Sequence, residues 1–444
     1  MKIRGLGLCI AAIVVALATH IAPGPTPAAS GRTLGPSFAA DAIQTAASAA
    51  ELARLIGAFE SRAKDHTDSL DLTFLAKLYL QRARSTGDLG SYTQAGEALT
   101  RALALAPDDP DARAVLARLR YATHDFAGAR DIAASLFASD PTDPGAAALL
   151  GDAALEVGDY AAASQRFEAL SRAFPGAAAV DARLARLSFV TGDPDAARDR
   201  AARANAEARA EGAFGVDLAW YAHLEAQVGF DRGDYEAAAA SEREALAIAP
   251  GYHVAEAGLA RAMAALGQTA EAIAWYGRAI DAMPQPDYLA ALGDLYAISG
   301  EAGRATNAYD TVEAGATLSP SSARLYDRQL ALFYLDHDRH LDRALTIAEA
   351  ALGQRPDVYG YDIYAWSLYK AGRYDEAAAA SDRALGTGAP DARFHYHAGY
   401  IALARGDAAR AKAELGRALA IGPAFDPILA GRARTMLAWL EALG

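Results

Sequence analysis

The chain has 444 residues, a net charge of −13 and a composition that is 52% hydrophobic and 22% charged, which excludes a disordered polymer. Acidic residues (55) outnumber basic ones (42), and no Lys/Arg block is interleaved with aromatics, so nothing marks a nucleic-acid surface. The single cysteine, Cys9, excludes an internal disulfide or a cysteine-rich metal site.

Residues 1–18 read as an export signal. Lys2 and Arg4 supply the positive start, Leu6 to Val15 is apolar, and Ala16-Leu17-Ala18 is a small-x-small cleavage pattern. The apolar run is shorter than the roughly 20 residues that span a bilayer. Cleavage is therefore expected, leaving a periplasmic or secreted protein with no stable membrane span; an uncleaved N-terminal anchor is the alternative. Residues 19–37, with Pro23, Pro25, Pro27 and Pro36, read as a tether. Residues 38–71 are expected to hold an N-terminal capping helix.

From there the chain repeats itself. "GDYEAAAASEREALAIAP" begins at Gly233, and "GRYDEAAAASDRALGTGAP" at Gly372. Alanines in the same context are Ala95, Ala129, Ala163, Ala197, Ala238, Ala272, Ala305, Ala344, Ala377 and Ala411, a period of 34 with insertions near residues 205–220 and 310–325. Five residues before the alanine stands glycine in eight of the ten units, and twelve after it stands proline in seven. Glycine breaks a first helix and permits a turn. Small residues seven apart on the second helix permit close helix approach, and proline ends the unit. Asp109-Pro110 and Asp143-Pro144 are an N-cap followed by the favoured first helical position.

A 34-residue helix–turn–helix with Leu-Gly/Ala, Tyr, Ala, aromatic, Ala and Pro in these slots resembles the tetratricopeptide repeat. The unit "YLAALGDLYAISGEAGRATNAYDTV" places Leu292, Gly293, Tyr296, Ala305 and Tyr309 in the family's positions. The resemblance implies an all-α fold, an α-solenoid of about ten repeats over residues 72–424 with terminal capping helices, the last over 425–444. Its Asp426 is the expected N-cap, with Ile428, Leu429, Met436, Leu437 and Leu440 facing the last repeat. Units one, four and five depart most from the pattern. Unit one carries extra residues in "ARSTGDLGS", unit four lacks its proline, and unit five has Glu225 where Leu is expected.

Chemistry is sparse. Ser61–Lys64 and Ser367–Lys370 match S-x-x-K without its partner motifs. His395 and His397 are two apart on a helix and point away from one another. His337 and His340, among Asp336, Asp338 and Asp342, read as a lengthened polar turn rather than a metal site. No catalytic residue, metal or cofactor is expected. The resemblance implies an exported, non-enzymatic scaffold that binds peptides or protein segments in its concave groove. Its alternative is a carbohydrate-binding or assembly role in a polysaccharide-export or other envelope complex. The family's groove positions fall on Asp111, Ala114, Arg118 and Tyr121 in unit two, and include Arg261, Asp287 and Asp294 in units six and seven. They become aromatic in units nine and ten: Tyr359, Asp362, Trp366, Tyr369, Arg393, Tyr396 and Tyr400. Aromatics and Arg at helical spacing are the stuff of binding hot spots, so residues 355–405 are the expected docking site.

Overall fold

The computed structural model describes residues 49–65, 68–318 and 325–442, all within the compact unit Leu34–Gly444. The export signal and the proline-rich tether lie outside these residues. The described residues form 22 helices and no strand. Helix α1 (Ala49–Asp65) precedes ten helical pairs. These are α2 (Ser69–Thr86) with α3 (Gly90–Leu105), α4 (Pro110–Ala122) with α5 (Phe126–Ser139), and α6 (Pro144–Glu156) with α7 (Tyr160–Ala173). Next come α8 (Ala178–Val190) with α9 (Pro194–Ala210), α10 (Gly215–Asp231) with α11 (Tyr235–Ile248), and α12 (His253–Ala265) with α13 (Thr269–Ala282). The last four are α14 (Pro286–Ile298) with α15 (Ala302–Leu318), α16 (Asp327–Asp336) with α17 (Leu341–Gln354), α18 (Val358–Lys370) with α19 (Tyr374–Leu385), and α20 (Ala392–Ala404) with α21 (Ala408–Ile421). Helix α22 (Leu429–Ala442) closes the array.

All ten marker alanines are buried on second helices, none more than 4% exposed. They sit where only a methyl fits between the paired helices. A larger side chain from the second helix fills the gap left by a small residue on the first: Phe167 packs on Gly151, Tyr309 on Gly293 and Leu415 on Gly399. The insertions are absorbed by lengthening, since α9, α10 and α15 each run to 17 residues. Asp109 and Asp143 accept hydrogen bonds from the first free N–H groups of α4 and α6. At the far end Asp426 accepts from the N–H groups of Ile428 and Leu429 at 2.9 and 2.8 Å. The regular helix begins only at Leu429. Leu429 and Leu440 are buried, while Ile428, Met436 and Leu437 are half-buried.

The glycine slot works as a left-handed turn in seven units, and the other three vary it, unit eight with Asp338 (φ 54°) and His340 (φ 42°) in place of glycine. In unit one Gly87 (φ 70°) takes the turn and Gly90 opens the helix, while in unit two His124 (φ 61°) replaces glycine. Three of these turns do a second job. They touch the loop that follows the unit five places further along, closing a seam between successive superhelical turns. A Cβ on Gly158 would stand 2.7 Å from the Pro356 carbonyl oxygen, one on Gly192 2.9 Å from that of Thr387, and one on Gly233 2.7 Å from that of Ile421. Gly87 lies against Met283 with the same offset. Two tyrosine hydroxyls bridge the seam: Val358 N–H donates to Tyr160 at 3.1 Å, and Ala424 N–H to Tyr235 at 3.0 Å. Arg84 of unit one also pairs with Asp217 of unit five.

Candidate functional site

Helix α18 carries Tyr359, Asp362, Trp366 and Tyr369 along one face, and α20 carries Arg393, Tyr396 and Tyr400 in the same register, as helical spacing requires. Six of the seven come together. Trp366 is sandwiched between Tyr369 (centroids 4.6 Å apart, planes at 2°) and His397 (4.4 Å, 15°). Tyr400 meets it edge-on at 6.2 Å and packs on Tyr396 at 4.8 Å. Asp362 bonds the buried His397 Nδ1 at 2.9 Å. Trp366, Tyr396 and Asp362 are thereby buried, whereas Tyr369, Arg393 and Tyr400 keep part of their surface. Tyr359 stands apart, edge-on to Phe394 at 5.4 Å.

Asp336, at the end of α16, organises this cluster. It accepts from Trp366 Nε1 at 3.0 Å and from Arg393 at 2.8 Å, and Arg393 reaches on to Asp426 at 3.0 Å. Burial disfavours the Arg393 charge, but Asp336 and Asp426 outweigh it and hold the guanidinium protonated. Burial, then the Tyr400 hydroxyl, pushes Tyr396 and Tyr369 upward. Carrying the groove positions over to unit eight, where Asp336 is the twelfth residue, is the signal that would have found it.

A second polar region lies across the inner face, where units three to five meet units eight and nine. A cavity of about 220 Å³ is lined by Glu156, Tyr160, Arg186, Asp231, Arg328, Asp357 and Tyr359 with apolar neighbours. Its charges are largely spoken for. Glu156 accepts from Arg186 at 2.7 Å and from Tyr121 at 3.0 Å, linking units two, three and four. Burial works against its charge, yet Arg186 draws the carboxyl below its usual range. Arg328 forks onto both Asp357 oxygens. Arg261 pairs with Asp231 at 3.2 Å while lying 3.7 Å over the Phe230 ring. Asp287 reaches water, yet enough protein surrounds it that desolvation pushes it up to about 6. Asp391 is likewise pushed up to about 6, by burial and then by Asp231 and Asp362.

The remaining sequence candidates are separate. His337 bonds Asp294 at 2.7 Å and the Phe333 carbonyl at 2.7 Å. His340 sits 3.4 Å from Glu313. Ser367 donates to the Tyr364 carbonyl and Lys370 pairs with Asp338, so the S-x-x-K residues face different partners. Among the described residues no three His, Cys, Asp or Glu side chains converge as a metal centre, and no helix is long and apolar enough to cross a membrane.

Comparison with known proteins bears on the repeats. Two tetratricopeptide repeat families match, one over residues 88–153 and 230–295, the other over residues 149–213 and 365–427. Together these cover more than half of the chain. No curated protein matches the sequence. Among solved structures, a human IFIT1 dimer with PPP-AAAA is 12% identical over 85% of this chain and 96% of its own, with a TM-score of 0.45. A tetratricopeptide repeat protein from Parabacteroides merdae is 18% identical over 62% of this chain and 99% of its own, with a TM-score of 0.33. A third, MamA, is 19% identical over 37% of this chain and 93% of its own, with a TM-score of 0.31. Repeats of this class are protein-interaction scaffolds, and the chain belongs to the tetratricopeptide repeat family.

Proposed function

We propose that the protein is an exported, non-catalytic scaffold that binds an extended segment of a partner protein on the inner face of units nine and ten. The observation that supports this reading is the aromatic cluster around Trp366. Its buried members hold Tyr369, Tyr400 and Arg393 in fixed positions, and those three keep surface for a partner. Rigid tyrosines and an anchored Arg bury much area at little entropic cost. Export rests on residues 1–18, and the mature protein starts at Thr19 or a few residues later.

The test is a native pull-down with mass spectrometry, repeated with a Tyr369→Ala/Tyr400→Ala double variant. The reading expects loss of the captured partner with the fold retained. Capture that survives the double substitution refutes the site. N-terminal mass spectrometry on protein from the native host checks export separately, and an intact Met1 in cytosolic protein refutes it. Polysaccharide added in place of the partner distinguishes the carbohydrate role.

A further inference from the structure

The seam uses only half of each edge of the solenoid. The turns of units one, three, four and five lie against loops that follow units six, eight, nine and ten. The turn glycines of units six, seven, nine and ten (Gly267, Gly300, Gly372 and Gly406) have the same left-handed backbone, yet none of the described residues lies within 4 Å of where their Cβ would be. The duplicated phrase makes the contrast direct. Tyr235 is 6% exposed under the loop it docks on, whereas its counterpart Tyr374 is 40% exposed.

The exposed apolar residues follow the same division. Six large hydrophobic side chains are exposed among the described residues. Ile298 and Tyr374 lie beside unused turns, in units seven and nine. Leu105 and Phe214 lie at loops following units one and four, on the opposite, equally unused edge. The other two, Leu70 and Trp439, sit near the two ends of the array. Standing singly, such side chains are ordinary surface; the unused turns and loops beside them are what point to an occupant. Here the occupant's shape is already present inside the chain, because the used seam joins one kind of edge to the other.

We propose that a second copy of this chain docks its loop edge, bearing Leu105 and Phe214, against the turn edge of units six to ten, bearing Ile298 and Tyr374. The contact repeats between copies the seam that exists within one. The two surfaces differ, so the interface is heterologous and continues from copy to copy rather than closing at a dimer.

Sedimentation velocity of the full chain over a range of concentrations tests this. The expected result is an average mass that rises with concentration past the dimer. Tyr374→Ser and Phe214→Ser each shift the association midpoint upward by about tenfold, the effect of losing one interface anchor. An equimolar mixture of the two variants then forms dimers, since each keeps the edge the other has lost, but does not elongate. Unchanged thermal melts show that both variants are folded. A monomer at every concentration, or association that both variants leave untouched, overturns the proposal. So does association lost only with Trp439→Ser, which would place the contact on the terminal helix.

Discussion

Replacing Gly233 and Gly372 separately by alanine isolates the seam from the turn. Both residues close the same turn with nearly the same backbone, φ 85° and 76°. Each alanine costs about 1 kcal/mol for a left-handed L-residue, and the matching gain from a stiffer unfolded chain is common to both. At Gly372 the new methyl meets none of the described residues within 4 Å; at Gly233 it lies 2.7 Å from the Ile421 carbonyl oxygen. That oxygen belongs to the last residue of α21 and yields only if the loop after it slides away. The slide breaks the Ala424–Tyr235 hydrogen bond and opens the surface beneath Tyr235. A lost bond and a strained contact add roughly 1–3 kcal/mol. Gly233→Ala is therefore expected to cost about 2–4 kcal/mol against about 1 kcal/mol for Gly372→Ala. Repeat arrays open locally, so the assay is amide hydrogen exchange. The Ala424 amide loses protection in Gly233→Ala and keeps it in Gly372→Ala. Equal losses in the two variants, or none, would refute the reasoning.

Trp366→Ala removes a ring that is 3% exposed and stacked on both faces. It is expected to cost about 3–5 kcal/mol, read by thermal or urea melts of the variant. Asp391→Asn keeps the hydrogen bond to the Arg393 N–H that caps α20 but removes a carboxyl pushed up to about 6. The folded state binds that proton between about pH 4 and 6, so the wild type gains stability as pH falls through this window. The variant is therefore more stable by about 1–2 kcal/mol at pH 7, after discounting for partial exposure, and the difference vanishes below about pH 4. A gap that is constant with pH contradicts the assignment. Deleting residues 426–444 removes Leu429, Ala430, Ala433 and Leu440 from the core and strips Asp426 from Arg393. The truncated protein is expected to aggregate, and one as soluble and heat-stable as the full chain would show that α22 is no cap.

The helical pairs were legible because each unit writes its own contacts locally. A marker alanine, a turn glycine and a terminal proline are set by neighbours within 34 residues. The seam was not legible, because it depends on the small rotation of each unit accumulating over five of them. No residue pattern reports that sum. The same rotation decides the fate of the groove positions. Their helical spacing places Tyr359, Asp362, Trp366 and Tyr369 along one face of α18, and Arg393, Tyr396 and Tyr400 along one face of α20. Whether a ring on either face meets solvent depends on how closely adjacent first helices crowd on the inside. Between α16, α18 and α20 they crowd enough for Asp336, Trp366 and Arg393 to satisfy one another. Tyr160 and Tyr235 are the first residues of α7 and α11, and their bridging role needs the distant loop to be in place.

The closed seam requires each turn to touch the loop that follows the unit five places further along. With Cys9 replaced by serine, cysteines at Thr191 and Thr387 become the only thiols; they stand beside Gly192 and on the loop it contacts. A short bifunctional thiol reagent should join them rapidly within one monomer under native conditions, and not in urea. A native monomer that resists joining, while each thiol alone reacts freely, would mean that the solenoid is open and the seam does not form.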